Sequence, residues 1–443
     1  MTNKNECPTS KSSRFSKASQ TVLKVAGKQA IHSIQHPFIS NKTKQEKQHE
    51  HYKTVSKDIF KLLSVLKGVS LKAAQLLSME LELLPKEFQE ELKKACYQVP
   101  PLNRAVVRKG IQAEFKKTPE TIFSSFELTA FAAASIGQVH KATLNTKERV
   151  VVKIQYPGIE KTIHSDMKML TFFLLKLPIP KIKEKKTLIK TYLDECQSRF
   201  IEETDYLKEA NRLTFFHKKN PFKQIRTPKP IVDLCSKSIL TMEYLEGKHL
   251  DEWLTTNPTQ EEKNHYAQQL WNFFSFFLMN HNILHADPNP GNILFMENRN
   301  LGIIDFGCVK EVDPDFPSQI ANVIKYHIKR EIEPVMDIYN KWGLLSSELQ
   351  ENSQQVEEHL QFFREWLTLP FKEKEFDFGK HPDYLQQRFS ENFKVAMNIM
   401  HNTTHNFVMF DRAYMGLLTI FHRLEANLSI SFDDNKSIGD KHE

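Results

Sequence analysis

Glycine is scarce in this sequence, with 13 glycines among 443 residues, about 3% where ~7% is usual. No Gly-x-Gly-x-x-Gly series occurs, and the one Gly-x4-Gly pair, Gly302 and Gly307, is followed by Cys308-Val309 rather than by Lys and Ser or Thr. Rossmann and P-loop nucleotide sites both need glycines that let backbone amides approach phosphates. The sequence therefore excludes both classes.

Cysteine and long apolar runs are lacking as well. The five cysteines are scattered without a Cys-x-x-Cys pair, which excludes a disulfide framework or zinc ribbon and indicates a reducing compartment. The most apolar stretch, residues 270–279, is too short to span a bilayer and contains Asn272 and Ser275. Without a signal-peptide pattern, we expect a cytoplasmic protein, with peripheral contact at the inner membrane surface as an alternative.

Positive charge is concentrated at the beginning of the chain. Residues 1–57 contain 11 Lys and Arg against three acids, whereas the remainder contains 50 against 51. We expect residues 1–50 to form a basic, mostly disordered arm. Both a solvated tail and a short amphipathic helix on anionic lipid, over residues 22–31, fit this arm. Nucleic acid is not expected as a partner, since Phe15 is almost the only aromatic residue among these charges.

The spacing of apolar residues predicts a mixed fold. Apolar residues recur in a helical pattern over 58–94, which Pro100-Pro101 ends. The pattern becomes strand-like between 122 and 154, most clearly at Val150–Ile154. The remaining predicted elements are helical segments at 160–176 and 186–216, a strand at 238–242, and a mainly helical stretch to about Leu428 with short strands at 292–296 and 301–304.

Two motifs carry the strongest chemical signal: His-Ala-Asp-Pro-Asn-Pro-Gly-Asn at 285–292 and Leu-Gly-Ile-Ile-Asp-Phe-Gly at 301–307. Phosphoryl transfer needs a carboxylate beside the nucleophile and oxygen ligands for Mg²⁺ on the nucleotide phosphates. Asp287 is placed to act as the base, with Asn292 and Asp305 as metal ligands. The order Asp-x4-Asn, then Asp-Phe-Gly 18 residues after the first Asp, is typical of kinases.

A second Asp-Phe-Gly, at 377–379, does not fit this pattern. It follows the charged run Lys-Glu-Lys-Glu at 372–375 rather than a strand, and no Asp-x4-Asn precedes it at the required distance. We interpret it as a structural loop.

A kinase-like site also needs a strand lysine that holds the α- and β-phosphates and a helical glutamate that positions it. Lys153, in the strand-like run Val-Val-Lys-Ile, is the candidate lysine. The acidic stretch at 202–209 supplies the glutamate, and Glu203 and Glu209 are both plausible. Composition does not choose between them.

The loop before this strand is rich in alanine where a conventional kinase has glycine. Alanine restricts φ and adds a methyl group, so we expect a stiffer loop with different phosphate contacts. The nucleotide-binding candidates in this loop are Ala132, Ala133, Ala134, Ser135, Ile136, Gly137, Gln138 and Val139.

Three stretches resemble the UbiB/AarF family of atypical kinases, whose organelle members are known as ADCK proteins: residues 132–140, Val-Lys-Ile-Gln-Tyr-Pro-Gly at 152–158, and residues 285–292. The resemblance extends from about Leu62 to Leu428. It implies an α/β (α+β), bilobal protein-kinase-like fold with an added N-terminal helical module and a helix-rich C-lobe. It further implies binding of ATP or ADP with Mg²⁺, ATPase behaviour more readily than protein phosphorylation, and a link to ubiquinone and isoprenoid-lipid metabolism.

Matched to the motifs of that family, the resemblance assigns further residues. It places the family's Glu-x-Asp motif at Glu203 and Asp205, and it makes Glu209 the helix glutamate. Its Lys-x-Gly-Gln motif falls at residues 72–75, with Lys72 and Gln75 retained and Ala74 in place of glycine. The adenine-facing hinge resembles residues 242–247, with Met242, Glu243 and Leu245 as the candidates.

These assignments predict five segments. They are a basic arm at 1–50, a helical extension with the Lys-x-x-Gln motif at 51–105, an N-lobe at 106–244, a C-lobe at 245–430 and a polar tail at 431–443.

Three functions compete for this sequence. The first is an ATP-dependent atypical kinase or ATPase that acts on, or is gated by, isoprenoid-quinone lipids or quinone-biosynthesis proteins. The second is a pseudokinase scaffold, although a scaffold need not keep both metal ligands. The third is a small-molecule phosphotransferase of the aminoglycoside or choline kinase type, which shares His-x-Asp-x4-Asn but does not match the alanine-rich loop.

We expect the basic arm to contribute to association with anionic membranes, since each Lys or Arg near such a surface is attracted by about 1 kcal/mol. Deleting residues 1–50 should lower the fraction of protein that pellets with anionic liposomes. Unchanged pelleting after the deletion would contradict this expectation.

Overall fold

The computed structural model of the chain describes residues 102–134, 136–176, 186–345, 353–388 and 404–432, together with Lys24 and residues 53–58. Most of the predicted arm, the helical segment at 58–94 beyond Asp58, the Lys72–Gln75 motif and Ser135 lie outside these ranges.

Backbone contacts divide the chain into two compact units. Residues 1–210 with 230–243 form the first, and residues 211–229 with 244–443 form the second. The sequence placed residues 211–229 in the first lobe. They belong to the second unit because a strand at Ile225–Arg226 pairs in parallel with a strand at Leu301–Ile303.

The first unit contains an antiparallel sheet in which the strands Phe123–Phe126, Gly137–Leu144, Arg149–Gln155 and Ile239–Glu243 are neighbours in that order, with Ala132–Ala133 paired to Gly137–Leu144. In chain order its elements are α1 (Arg104–Phe115), α2 (Pro119–Ile122), β1 (Phe123–Phe126), β2 (Ala132–Ala133), β3 (Gly137–Leu144), β4 (Arg149–Gln155), α3 (Ile159–Lys176), α4 (Lys186–Glu202), the beginning of α5 (Tyr206–Lys219) and β6 (Ile239–Glu243).

Strand β4 is buried on both faces, which explains its nearly continuous apolar sequence. Val150, Val152 and Ile154 join a core with Val107 and Ile111 of α1. Alternation along the strand turns Lys153 to the opposite face. The predicted strand at 150–154 is thus present and places the lysine away from that core.

The second unit is dominated by helices packed in one large apolar core. Its further elements are β5 (Ile225–Arg226), α6 (Leu250–Leu254), α7 (Gln260–His281), β7 (Ile283–His285), β8 (Ile293–Phe295), β9 (Leu301–Ile303), β10 (Val309–Glu311), α8 (Phe316–Lys329), α9 (Ile332–Lys341), α10 (Ser353–Lys372), β11 (Phe376–Asp377), α11 (Tyr384–Gln387), α12 (His405–Leu424) and β12 (Asn427–Leu428). Over the part of the chain that the structure describes, no helix combines the length and apolarity needed to cross a membrane.

Two predictions about elements were wrong. The single helical segment at 186–216 is two helices, α4 and α5, because the chain turns at Thr204 and Asp205. The second Asp-Phe-Gly is not a simple loop, since β11 pairs with β12 and Phe378 is buried. Its Asp377 accepts hydrogen bonds from the backbone of Gly379 and Lys380, which explains this Asp structurally.

Gly137 permits the close approach of β3 to β4. A Cβ atom at this position would lie 2.2 Å from the carbonyl oxygen of Ile154, whereas one at Gly110, inside α1, would meet nothing within 4 Å. Gly137→Ala should lower the free energy of unfolding by about 1–3 kcal/mol. The control Gly110→Ala should be neutral or stabilising by up to about 1 kcal/mol. Urea denaturation would measure both, and equal effects would contradict this account of the strand pair.

His327 is a buried group whose charge state links stability to pH. Burial, with a smaller contribution from the Arg364 charge, lowers the pKa of His327 from 6.5 to about 3. The unfolded state therefore binds a proton first as the pH falls, and stability should be lost from pH ~6.5 down towards 3 by up to about 1.4 kcal/mol per pH unit.

His327→Gln should reduce this acid sensitivity, and denaturation between pH 7.5 and 5 would measure it. The matched control is His405→Gln, which changes an exposed histidine. Parallel pH dependence in wild type and His327→Gln would show that His327 carries no such linkage.

Candidate functional site

One group of candidate residues is a buried ion pair in the first unit. Lys153 Nζ lies 2.8 Å and 3.1 Å from the two carboxylate oxygens of Glu209, in the first turns of α5. The two side chains are only 10% and 6% exposed. Of the two glutamates that the sequence left open, Glu209 is the one that pairs with Lys153.

Two further residues support this pair, and the sequence had not singled out either. The ring of Tyr206 lies under the ammonium group, with Lys153 Nζ 5.2 Å from its centroid, within the range of a cation–π interaction. Gln155, two residues along β4, donates to the carbonyl groups of Thr204 and Lys237. Gln155 therefore ties the turn between α4 and α5 to the lysine strand.

That turn contains the Glu-x-Asp motif. Asp205 accepts hydrogen bonds from the backbone N–H groups of Leu207 and Lys208, and so caps the N-terminus of α5. Glu203 lies in the same turn and is partly exposed. The geometry gives Asp205 a structural task at the helix that carries Glu209.

The alanine-rich loop is a short hairpin. Ala132 and Ala133 form β2, which pairs with Val139 and Gln138 of β3, and both alanines are exposed. The N–H group of Ala134 donates to the carbonyl of Gly137 at 3.0 Å. That amide is thus engaged within the hairpin.

The side chain of Gln138 is directed into the protein. Its amide oxygen accepts from the N–H of Leu102 and its nitrogen donates to His140 Nε2, each at 2.8 Å. His140 in turn donates from Nδ1 to the carbonyl of Glu127, and burial lowers the pKa of His140. Both polar atoms of the Gln138 side chain therefore have protein partners.

A second group of candidate residues is carried by two strand pairs of the second unit. In the β8–β9 pair Ile293 lies opposite Ile303, and the N–H of Ile304 donates to the carbonyl of Asn292. Asp305 follows Ile304 in the chain, so Asn292 and Asp305 lie at the same end of this hairpin. The sequence did not predict the pairing of β7 with β10. The loop that carries Asp287 begins where β7 ends, at His285.

The carboxylate of Asp287 has a donor on each oxygen. Asn292 Nδ2 lies 3.3 Å from Oδ2, and Arg412 Nη2, from α12, lies 3.3 Å from Oδ1. The sequence predicted the neighbouring Asn292. It gave no sign of Arg412, which is 125 positions away.

The Asp-Phe-Gly turn is held from several sides. Asp305 Oδ1 accepts from the N–H of Gly307 at 2.9 Å, and His285 Nε2 donates to the carbonyl of Asp305 at 2.8 Å. Arg212, in the part of α5 that belongs to the second unit, donates to the carbonyl of Gly307 at 2.7 Å. Phe306 is buried against Phe216 of the same helix. Arg212 and Phe216 were also missed by the sequence interpretation.

The oxygen donors of Asn292 and Asp305 fit magnesium. The carboxylate of Asp305 and the amide oxygen of Asn292 are hard oxygen ligands, and Asn292 uses its nitrogen for Asp287. Within the described ranges no group of three or more His, Cys, Asp or Glu side chains could hold a metal alone. A kinase-type site needs no such cage, since Mg²⁺ is held by one or two side chains together with substrate phosphates.

The hinge candidates lie where the chain leaves β6. Met242 is buried and faces Val151 of β4, and Glu243 ends the strand. Leu245 is buried in the second unit. Lys72, Gln75 and Ser135 cannot be placed, as they lie outside the described residues.

Comparison with known proteins gives a family match over more than half of the chain. Residues 91–339 match the sequence profile described as the ABC1 atypical kinase-like domain. A probable serine/threonine-protein kinase of Dictyostelium discoideum, abkA, is 31% identical over 307 residues, which cover 66% of this chain and 53% of that protein. The atypical kinase COQ8, mitochondrial, of Saccharomyces cerevisiae is 28% identical over 346 residues, covering 76% and 66%.

A solved structure supports the fold. The complex of Rv3197 with erythromycin from Mycobacterium tuberculosis gives a TM-score of 0.59 at 23% identity and covers 90% of this chain and 98% of that one. Together with the family match, this confirms the predicted kinase-like fold of mixed helix and sheet. The chain spans about half the length of the first curated relatives that it matches.

Proposed function

Because the chain belongs to the ABC1 atypical kinase-like family, we propose that it binds ATP with Mg²⁺ and transfers or hydrolyses the terminal phosphoryl group. The observation that carries this proposal is the buried Lys153–Glu209 pair. Phosphoryl transfer in kinases requires such a lysine–glutamate ion pair in place, with the lysine directed at the α- and β-phosphates.

The candidate residues of the second unit each have a chemical role in this proposal. Asp287 acts as the base that orients the attacking hydroxyl or water. Asn292 and Asp305 supply oxygen ligands to the cation. Bound Mg²⁺ would neutralise the charge that develops on the phosphate oxygens. His285 and Arg212 keep the Asp305 turn in position through its backbone carbonyl groups.

The nucleotide would take its remaining contacts from backbone groups. We assign adenine to the hinge at Met242, Glu243 and Leu245, and the phosphates to the hairpin at residues 132–139. The roles of Lys72, Gln75 and Glu203 follow from the family motifs alone. We assign Lys72 and Gln75 to the approach to the nucleotide and Glu203 to the phosphate side of the site.

The biological context is proposed from the family. We propose that this activity supports ubiquinone or isoprenoid-lipid biosynthesis, through a quinone-type lipid or a protein of that process. Contact with a membrane would be peripheral, through the basic arm. The cytoplasmic location stays a prediction, whereas the yeast relative is named as a mitochondrial protein.

Release of inorganic phosphate from ATP, with and without Mg²⁺ and a detergent-solubilised quinone analogue, tests the proposal. Wild type should release phosphate only with Mg²⁺. Asp305→Asn should lower the rate at least about 100-fold, since it removes a charged metal ligand. Asp377→Asn, in the second Asp-Phe-Gly, is the matched control and should retain the rate of wild type.

The other outcomes separate the competing functions. Nucleotide binding without phosphate release under any condition would favour a scaffold and contradict the proposal. Release that appears only with a soluble alcohol would indicate a small-molecule phosphotransferase. Equal loss in Asp305→Asn and Asp377→Asn would show that the motif at 305–307 has been assigned wrongly.

A further inference from the structure

One face of α12 lies directly against the loop that carries Asp287. Arg412 and Gly416 are four residues apart on this helix, so they share a face. A Cβ atom at Gly416 would lie 2.8 Å from Pro288 Cγ and 3.2 Å from the Pro288 carbonyl oxygen. The helix therefore approaches the loop more closely than a residue with a side chain would allow.

The loop also borders a small apolar cavity. Pro288 and Asn292 from the loop line this cavity, together with Phe274 and Leu417 from the neighbouring helices. Side chains that border a cavity lose contacts on that side. Directional polar contacts to Asp287 therefore add to the packing of Pro288 against Gly416 in orienting the carboxylate.

Arg412 provides such a contact. Its guanidinium group and the Asp287 carboxylate are 32% and 27% exposed and 3.3 Å apart. An ion pair of this exposure contributes little to stability. Its larger effect is geometric, since the χ2 torsion of Asp is broad and two donors on opposite oxygens restrict it.

We propose that Arg412 is a positioning residue for Asp287 and that α12, through Arg412 and Gly416, sets the orientation of the base. This inference rests on the proposed function, in which Asp287 orients the nucleophile. A general base must lie within about 2.6–3.2 Å of the proton it accepts, and a shift of ~1 Å costs about 100-fold in rate.

Kinetics of phosphate release test the proposal. Arg412→Ala should lower kcat about 10- to 100-fold while the KM for MgATP changes less than about threefold, because Arg412 acts on the base and not on nucleotide binding. Arg412→Lys should restore part of the rate. In an Asp287→Asn background, Arg412→Ala should have no further effect, because both changes remove the same contribution.

Gly416→Ala gives an independent variant that keeps the charge. Alanine has a higher helix propensity than glycine, so a loss of rate would not come from a lower helix propensity of α12. We expect kcat to fall because the new methyl group pushes the loop away from Arg412. A kcat equal to that of wild type in both Arg412→Ala and Gly416→Ala would overturn the inference.

Hydrogen exchange provides a readout that does not need turnover. Amides of residues 286–293 should exchange faster in Arg412→Ala than in wild type. Arg388→Ala is the matched control, since Arg388 pairs with Asp411, the residue that precedes Arg412 on α12. Equal exchange in the two variants would overturn the inference. If wild type releases no phosphate, the proposed function fails, and the exchange result still decides the role of Arg412.

Discussion

The ion pair between Lys153 and Glu209 is the constraint on which the first unit depends. A buried charge is costly unless it is paired, so removing either partner leaves the other in an unfavourable position. The lysine is fixed by the central strand β4, and the glutamate is fixed by a helix whose N-terminus Asp205 caps. Gln155 joins the two elements through Thr204. Asp205 and Gln155, which lie in two of the family-like stretches, therefore help to position this ion pair.

The second unit is organised around backbone register. The β8–β9 hairpin places Asn292 beside Asp305, and the β7–β10 pair directs the chain from His285 into the loop of Asp287. Short strands suffice here because each is bonded to a neighbour and backed by the large apolar core. Arg412 holds the loop of Asp287, and Arg212 holds the Asp-Phe-Gly turn. Arg412 follows both motifs in the sequence, and Arg212 precedes both.

Sequence patterns predicted the features that depend on local order. The strand of Lys153, the strands at 293–295 and 301–303 and the spacing of Asp287, Asn292 and Asp305 are all readable along the chain. The spacing of residues alone did not choose between Glu203 and Glu209, because that choice depends on where α4 ends and α5 begins; only the family resemblance pointed to Glu209. Arg412 and Tyr206 could not be found either, since their importance arises from contacts across the fold and their residue types are common on helices. The side-chain partners of Gln138, Leu102 and His140, were likewise not predicted, and its role as a nucleotide contact stays a prediction.

The most direct test of the account asks whether Lys153 lies beside nucleotide phosphates. An ATP analogue with an acyl group on its terminal phosphate transfers that group to a lysine amine within reach, and peptide mass spectrometry identifies the lysine. The account predicts that Lys153 is acylated, that excess MgATP protects it, and that an exposed lysine such as Lys161 shows no such protection. Labelling of other lysines with MgATP protection, while Lys153 stays unmodified, would contradict the central claim.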